Sequence, residues 1–502
     1  MKDDHIQPDA PFSILDLHEP GNGMKLTPAW FQDLNLDTIL NQLTKKWGYP
    51  LRKLFLYLPE TSEDEAYRRA VYGDVKKADV SSALTAFVAR LTDVENLKNE
   101  KEKVPGLRQR AVWQLREAEA YFAACAELAE SLNRADLSSE GMQRFRGILN
   151  DMLESESFRQ MREQAFGIMK RIRSLRLVIT YEKDRIRVVP GEAGEEYGPL
   201  SGRDKKPLQN PFAATPIVSE LENACLDILK RQDPAFFRDI LTASERCEYY
   251  ENPVLTRFEK EIRFYLSFAG LQQEMKENGF SFATPSVSED CPPEAKGLYD
   301  LALACVSLKS GKKVVANDFR YNPGECFFVL TGPNQGGKTT FARSLGQLVY
   351  LTRVGLDVPA EKANVPFFPD IQTHFSVEES VETGRGKLKE ELVRLAPMME
   401  DYRQGTFVII NELFTTAASR DALVMGKKVL DHFIGLGCKG IYVTHLKELA
   451  SAQAGIVSLQ AMLNGDRIQT FEIRRGEASD IPCAENQVNK YRLTYEQLKE
   501  RL

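Results

Sequence analysis

The stretch Cys326-Phe327-Phe328-Val329-Leu330-Thr331-Gly332-Pro333-Asn334-Gln335-Gly336-Gly337-Lys338-Thr339-Thr340 decides the fold of the C-terminal part of the chain. Residues 326–330 form an apolar run that reads as a buried strand, and a glycine-rich loop begins where it ends. Gly332, Gly337, Lys338 and Thr339 fill the pattern G-x-x-x-x-G-K-[ST]. In such a loop the glycines let successive backbone N–H groups converge on phosphate oxygens, while the lysine and threonine face the terminal phosphates and Mg²⁺. A helical pattern follows over 341–351. Strand, loop and helix together imply a site for a nucleoside triphosphate with Mg²⁺. The competing reading is an idle glycine-rich turn.

Working outward, 502 residues exceed one compact core and predict two or three domains. The 43% hydrophobic and 27% charged content is that of an ordinary globular protein. No apolar run reaches the length of a membrane span, and Met1-Lys2-Asp3-Asp4-His5 lacks the basic start and apolar core of a secretion signal. A cytoplasmic protein with no membrane partner is expected. The eight cysteines, Cys125, Cys225, Cys305 and Cys438 among them, are scattered without a Cys-x-x-Cys pair, which favours reduced thiols over disulfides or zinc. A net charge of −6 argues against indiscriminate coating of nucleic acid, while a local basic face stays compatible with it.

The N-terminal territory, about 31–280, reads as mostly helical, with long runs at 80–99, 108–132 and 138–173. Ala111, Val112, Leu115, Ala118, Tyr121, Phe122, Cys125, Leu128 and Leu132 recur at three to four residues and predict one buried stripe on a long helix. Residues 177–180 and 185–189 flank Lys183-Asp184 and predict a hairpin inserted between helices. Helical spacing resumes at 217–229 and 253–278, and the polar, proline-containing segment 284–294 reads as a linker. Beyond it, apolar strands at 313–316, 326–330, 407–410 and 440–443 alternate with helices, and 457–462 with 468–473 form a closing hairpin. This is the order of an α/β nucleotide-binding domain.

A second acidic element is expected at the end of the apolar run Phe407-Val408-Ile409-Ile410, where Asn411 and Glu412 stand. Glu412 is the candidate general base for an attacking water, with Asn411 placed to order the water shell of Mg²⁺. An amide there accepts a hydrogen bond but removes a negative charge beside the metal, so weaker metal binding or slower hydrolysis is expected. A surface turn is the other reading of this pair. His445 follows the apolar strand 440–444 and can reach a γ-phosphate by hydrogen bonding, or serve structure alone. Gly384-Arg385-Gly386-Lys387 opens a helical pattern at 388–399, and reads either as an anion site at a helix start or as a solvated loop.

These residues resemble the MutS family of DNA mismatch repair ATPases. Gly332-Pro333-Asn334-Gln335-Gly336-Gly337-Lys338-Thr339-Thr340 is similar to that family's Gly-Pro-Asn-x-Gly-Gly-Lys-Ser-Thr loop. Residues 354–360 resemble its Gly-x-x-Val-Pro-Ala segment, and 442–449 its Ala-Thr-His-x-x-Glu-Leu motif. Residues 30–37 and 66–71 resemble the start of the family's helical core. The resemblance implies an α/β ABC-type P-loop ATPase domain at 296–502, with a C-terminal helical dimerisation tail. Before it would lie a mostly α-helical core/lever domain at 1–295, carrying a small inserted clamp hairpin at about 175–216. It further implies a homodimer in which Asn334, Lys338 and Thr339 bind phosphate and metal, Glu412 activates water, His445 reads the γ-phosphate, and Gly384, Arg385 and Gly386 reach across to the partner's nucleotide. Val314 takes the place where the family stacks an aromatic ring on adenine.

Several positions depart from the pattern. The family's Asp-Glu-x-Gly-Arg-Gly-Thr-Ser is Asn411-Glu412-Leu413-Phe414-Thr415-Thr416-Ala417-Ala418-Ser419 here, and its in-trans serine is Gly386. On this alignment the chain starts near the helical core, without the mismatch-reading and connector domains or the Phe-x-Glu wedge, so mispair reading of the usual kind is not expected. What remains for DNA is electrostatic: bases outnumber acids over 159–187, and Arg171, Arg173, Arg185 and Arg187 are the candidate contacts to the backbone of duplex or branched DNA. A solvated helix face is the alternative. The overall expectation is a slow Mg²⁺-dependent ATPase that clamps DNA, with a repair-pathway protein as a further partner. The rival is a nucleotide-switched scaffold for another protein with little hydrolysis.

Overall fold

The computed structural model describes residues 12–17, 29–47, 51–104, 106–175, 177–182, 185–190, 219–288, 292–311, 313–375, 387–400, 403–451, 454–465, 468–477 and 499. Two compact units emerge, one from residues 1–14 and 73–266, the other from 15–72 and 267–502. The expected division into 1–295 and 296–502 therefore does not match the packing: residues 15–72 and 267–295 cluster with the C-terminal part.

The C-terminal unit takes in four N-terminal helices, α1 (Ala29–Asp33), α2 (Leu36–Trp47), α3 (Arg52–Leu56) and α4 (Ser62–Val75), the last ending in the other unit. The helical unit then holds α5 (Ala78–Lys103), α6 (Leu107–Arg134), α7 (Glu140–Glu154) and α8 (Glu156–Ser174), the hairpin β1 (Leu177–Glu182) and β2 (Arg185–Pro190), and α9 (Ser219–Gln232) and α10 (Pro234–Arg246). All nine residues of the stripe predicted on α6 are buried, as an amphipathic helix against a core requires. The single helix expected over 138–173 is two. Ser155 takes an extended backbone (φ −60°, ψ 141°), and its hydroxyl accepts the N–H of Phe158 to start α8. Ser139 caps α7 in the same way through Met142. β1 and β2 pair antiparallel, Val178 opposite Val189 and Glu182 opposite Arg185.

Asp74 fixes the start of α7. Its fully buried carboxylate accepts the backbone N–H groups of Ser138 and Ser139 at 3.0 and 2.7 Å and both serine hydroxyls, with Lys77 Nζ at 2.9 Å. Burial alone would raise its pKa. Donation from Lys77, Ser139 and Ser138 outweighs burial and lowers the carboxyl to about 2.

α11 (Pro253–Glu277) leads back into the C-terminal unit, followed by β3 (Glu294–Leu298), α12 (Leu301–Ser310), β4 (Asn317–Arg320), β5 (Phe327–Thr331), α13 (Lys338–Arg353), β6 (Lys362–Asn364) and β7 (Ile371–Phe375). Then come α14 (Lys387–Glu400), β8 (Phe407–Asn411), α15 (Ser419–Gly435), β9 (Lys439–Val443), β10 (Ile456–Leu463) and β11 (Gln469–Arg475). Among the described residues, six strands form a sheet in the order β11-β10-β5-β9-β8-β7, and β4-β3-β6 form a smaller one. β10, β5, β9, β8 and β7 run parallel, and β11 closes the edge antiparallel to β10. β5 and β8 are buried at every residue, the pattern of strands covered on both faces. The strand expected at 313–316 starts later, at Asn317. The expected linker 284–294 is woven into this unit instead: Ala283 and Ser286 bridge Val358 and Asn364, and β3 begins at Glu294.

Side chains along one face of α13 explain why residues 29–59 belong here. Arg343 donates to Asp33 O, Gln347 to Leu34 O, Tyr350 to Phe55 O and Arg353 to Pro59 O. Gly346 lets Leu34 approach: a Cβ there would lie 2.3 Å from Leu34 Cδ2. Among the described residues, no helix is long and apolar enough to cross a membrane.

Candidate nucleotide site

β5 ends at Thr331 and α13 begins at Lys338, so the glycine-rich loop turns from the centre of the parallel sheet into a helix start. Close contact favours glycine at two of its positions. A Cβ on Gly332, where φ is +132°, would lie 2.9 Å from the Ala461 Cβ of β10, and one on Gly336 would lie 3.0 Å from Pro333 O. Gly337 and Gln335 also take left-handed backbones, with φ of 87° and 62°. Lys338 Nζ donates to Gly332 O at 2.8 Å and Pro333 O at 3.0 Å, holding a cation within the curl of the loop.

The loop walls a cavity of about 390 Å³, lined by residues 334–341 and by Glu412 from the end of β8. β8 lies two strands from β5, with β9 between. Its terminal Asn411 meets the loop directly: Thr339 Oγ1 donates to Asn411 Oδ1 at 3.0 Å. Glu412 has a left-handed backbone (φ 56°), and its N–H donates to Val443 O at 2.9 Å. His445, two residues beyond β9, sets Nε2 3.3 Å from Glu412 Oε1. Residues far apart in the chain thus converge, all at the same ends of parallel strands, where open α/β sheets bind their ligands.

The far wall brings in residues that the sequence did not single out. Leu298, Tyr299, Asp300 and Leu303 of the β3–α12 corner line the cavity, with Lys313, Val315, Asn317 and Phe471. Val314 lines a separate hollow beside Phe280 and Gly311; of its neighbours, Val315 lines the cavity of the glycine-rich loop and Lys313 lines both. Phe471 lines the cavity together with the aromatic Tyr299 and Phe341. It is 48% exposed, has a φ of 61°, and packs 3.5 Å from where a Gly337 Cβ would stand. Asn317 holds its strand by donating to Phe471 O and accepting the N–H of Ile473. Asp300 caps α12 and accepts Gln347 Nε2 at 2.9 Å; burial pushes its pKa up, against the lowering effect of these bonds. The sequence offered only the closing hairpin as a pointer to Phe471, because neither its φ nor its place at the cavity can be read from residue type.

Two of the four arginines expected to meet DNA pair within the helical unit. Arg171 lies over the Phe236 ring at 3.9 Å and pairs with Asp233, and Arg173 makes a two-bond pair with Glu119. Both arginines tie α8 to its neighbours α10 and α6. Arg185 and Arg187 lie in β2, and their side chains fall outside the described residues, as do Gly384, Arg385, Gly386 and the segment expected to form a dimerisation tail.

Residues 328–471 match the family model of MutS domain V. The DNA mismatch repair protein MutS of Fervidobacterium nodosum is 24% identical over 233 residues, covering 44% of this chain and 28% of that protein. MutS of Zymomonas mobilis is 28% identical over 179 residues, 34% of this chain and 20% of the relative. The DNA mismatch repair protein MSH3 of Yarrowia lipolytica is 26% identical over 172 residues, 33% of this chain and 17% of the relative. The chain thus spans less than a third of the length of these curated relatives.

Proposed function

Because this chain belongs to the MutS family through its domain V, we propose that it binds ATP in the cavity of the glycine-rich loop and hydrolyses it slowly. The observation that carries this reading is the meeting of Thr339 and Glu412 at a single cavity walled by the glycine-rich loop, with Asn411 bonded to Thr339 at its edge. The backbone N–H groups of 334–339 and the Lys338 ammonium bind the phosphates. Glu412 takes the proton of the attacking water, and His445, 3.3 Å away, holds that carboxylate in place. Phe471 and Val315 offer apolar surface to the base, in the role that the family resemblance gave to Val314.

The Thr339 hydroxyl and Glu412 carboxylate at the cavity, and the Asn411 amide oxygen bonded to that hydroxyl, are hard oxygen donors, the type that suits Mg²⁺. Thr339 and Asn411 would hold the ion, directly or through its waters. When bound, Mg²⁺ supplies charge neutralisation at the phosphates. Asn411 contributes a dipole where a carboxylate would contribute a charge, so binding is better supported than turnover.

The dimer, with Gly384–Gly386 reaching the partner's nucleotide, and clamping of duplex or branched DNA by a lever of helices extend the proposal. A second reading has one observation in its favour. Arg171 and Arg173 are spent on Asp233, Phe236 and Glu119, which leaves fewer free cations for DNA and favours a nucleotide-switched scaffold for a protein partner. Glu412→Ala should keep ATP binding and lower Mg²⁺-dependent turnover by about 10²–10⁴-fold, the usual worth of a general base. Wild-type turnover no faster than this variant's removes the hydrolase reading. Binding to homoduplex and branched DNA, measured across salt with and without ATP, separates clamp from scaffold.

A further inference from the structure

The turn that carries Glu412 is anchored by a residue from a helix outside the cavity. Glu412 and Phe414 both have left-handed backbones, at φ 56° and 62°, a conformation that favours glycine. In the family motif, position 414 is glycine; here it is a phenylalanine, 2% exposed. Such a turn persists only where its surroundings over-determine it. Three bonds do so. Thr339 holds the Asn411 side chain, Val443 O takes the Glu412 N–H, and Glu391 Oε2 of α14 takes the Phe414 N–H at 3.1 Å. Glu391 is 4% exposed. Burying a carboxyl group is costly unless it does a job as an acceptor, and its bond to the Phe414 N–H is such a job. α14 shares one apolar core with this turn: Leu395 belongs to the same buried cluster as Leu413 and Phe414.

We propose that Glu391 is a positioning residue: its buried carboxylate holds the 412–414 turn left-handed, and so keeps the Glu412 side chain at the nucleotide cavity. The inference rests on the reading of Glu412 as the base for ATP hydrolysis. It adds that α14 sets the aim of that base without touching nucleotide.

The test uses the full chain with Glu391→Leu, Glu391→Gln and the double variant Glu391→Leu/Phe414→Gly. Turnover, ATP affinity and amide hydrogen exchange of the 410–418 peptide are measured on each. Glu391→Leu should lower kcat by about 10-fold or more with ATP affinity nearly unchanged, and should speed exchange in the peptide. Glu391→Gln, whose side-chain oxygen can accept the same N–H, should keep most of kcat and the protection. Glycine at 414 should recover kcat in the double variant, since it adopts the turn without the anchor. Equal kcat in Glu391→Leu and wild type, or an equal loss in the Leu and Gln variants, overturns the proposal. If wild-type protein shows no turnover, the hydrolase reading fails by itself, and exchange decides this one: protection kept by Gln and lost by Leu supports the anchor, and protection unchanged by Leu overturns it. Should Glu391→Leu not fold, loss of kcat in Glu391→Gln with unchanged exchange overturns the proposal equally.

Discussion

The loop 332–340 and the basic helix α8 both offered candidate ligand contacts, and the fold uses their polar residues in opposite ways. In the loop, Thr339 bonds Asn411 at the wall of a cavity and Lys338 is held by the carbonyls of the same loop, so the groups that could meet a ligand stay gathered where one fits. On α8, Arg171 and Arg173 are taken up by Asp233, Phe236 and Glu119 from neighbouring helices. An arginine paired with a carboxylate of a neighbouring helix, away from any cavity, is a structural residue first. Charge counts along a sequence do not make that distinction, and pairing does.

Removing Lys338 gives the largest effect and the sharpest form of the contrast. Lys338→Ala should cost about 3 kcal/mol of ATP binding, the upper range for hydrogen bonds to a charged group, or some 10²-fold in Kd. Its melting temperature should barely move, because the two carbonyls that Lys338 holds lie in a loop whose shape is fixed by glycine and by Ala461. Titration with ATP alongside calorimetric melting reads both. An unfolding change with unchanged affinity would reverse the assignment of this lysine from ligand to structure.

What could be read beforehand follows the range of the interactions. The glycine-rich loop was legible because backbone geometry demands those residue types at fixed spacing, and the α6 stripe because helical burial repeats every three to four residues. β7 was not: Ile371-Gln372-Thr373-His374-Phe375 looks polar, yet His374 is 1% exposed, and burial drives its pKa down to about 4. The strap of 29–59 on α13 depends on carbonyls some three hundred positions away, and Phe471 reaches the cavity only because β10 lies beside β5. No local pattern encodes such neighbours. Ser155, which splits the expected long helix, was visible as a residue type, but serine also occurs inside helices and its capping role appears only with its geometry.

The second effect in size tests whether buried charge in the helical unit serves structure throughout. Asp74 is held at about 2, below its ordinary 3.8, by donors from Lys77, Ser138 and Ser139. A depressed carboxyl stabilises the folded state above about pH 4, and that contribution fades as pH falls from about 4 to 2, where the folded state too takes up the proton. The shift corresponds to about 2 kcal/mol. Asp74→Asn should therefore lower stability at neutral pH and flatten the wild-type decline across that acid window, as read by denaturant unfolding across pH. A wild-type curve as flat as the variant's there would show that the α7 start does not depend on this charge.

The smallest effect bears on the contrast most directly. Arg173 is half exposed, so solvent discounts its pair with Glu119, and Arg173→Ala should cost about 1 kcal/mol of stability. Arg171→Ala should lose a similar amount, because the guanidinium gives up its stacking on Phe236 as well as Asp233. If these arginines are structural, DNA affinity and the slope of its salt dependence should stay at the wild-type value in both variants. For every phosphate that the variant no longer neutralises, the slope would instead fall by about 0.9. A slope that drops by nearly two in the double variant, with melting unchanged, would return both residues to the DNA face and leave Asp233 and Glu119 as partners that give way when DNA arrives.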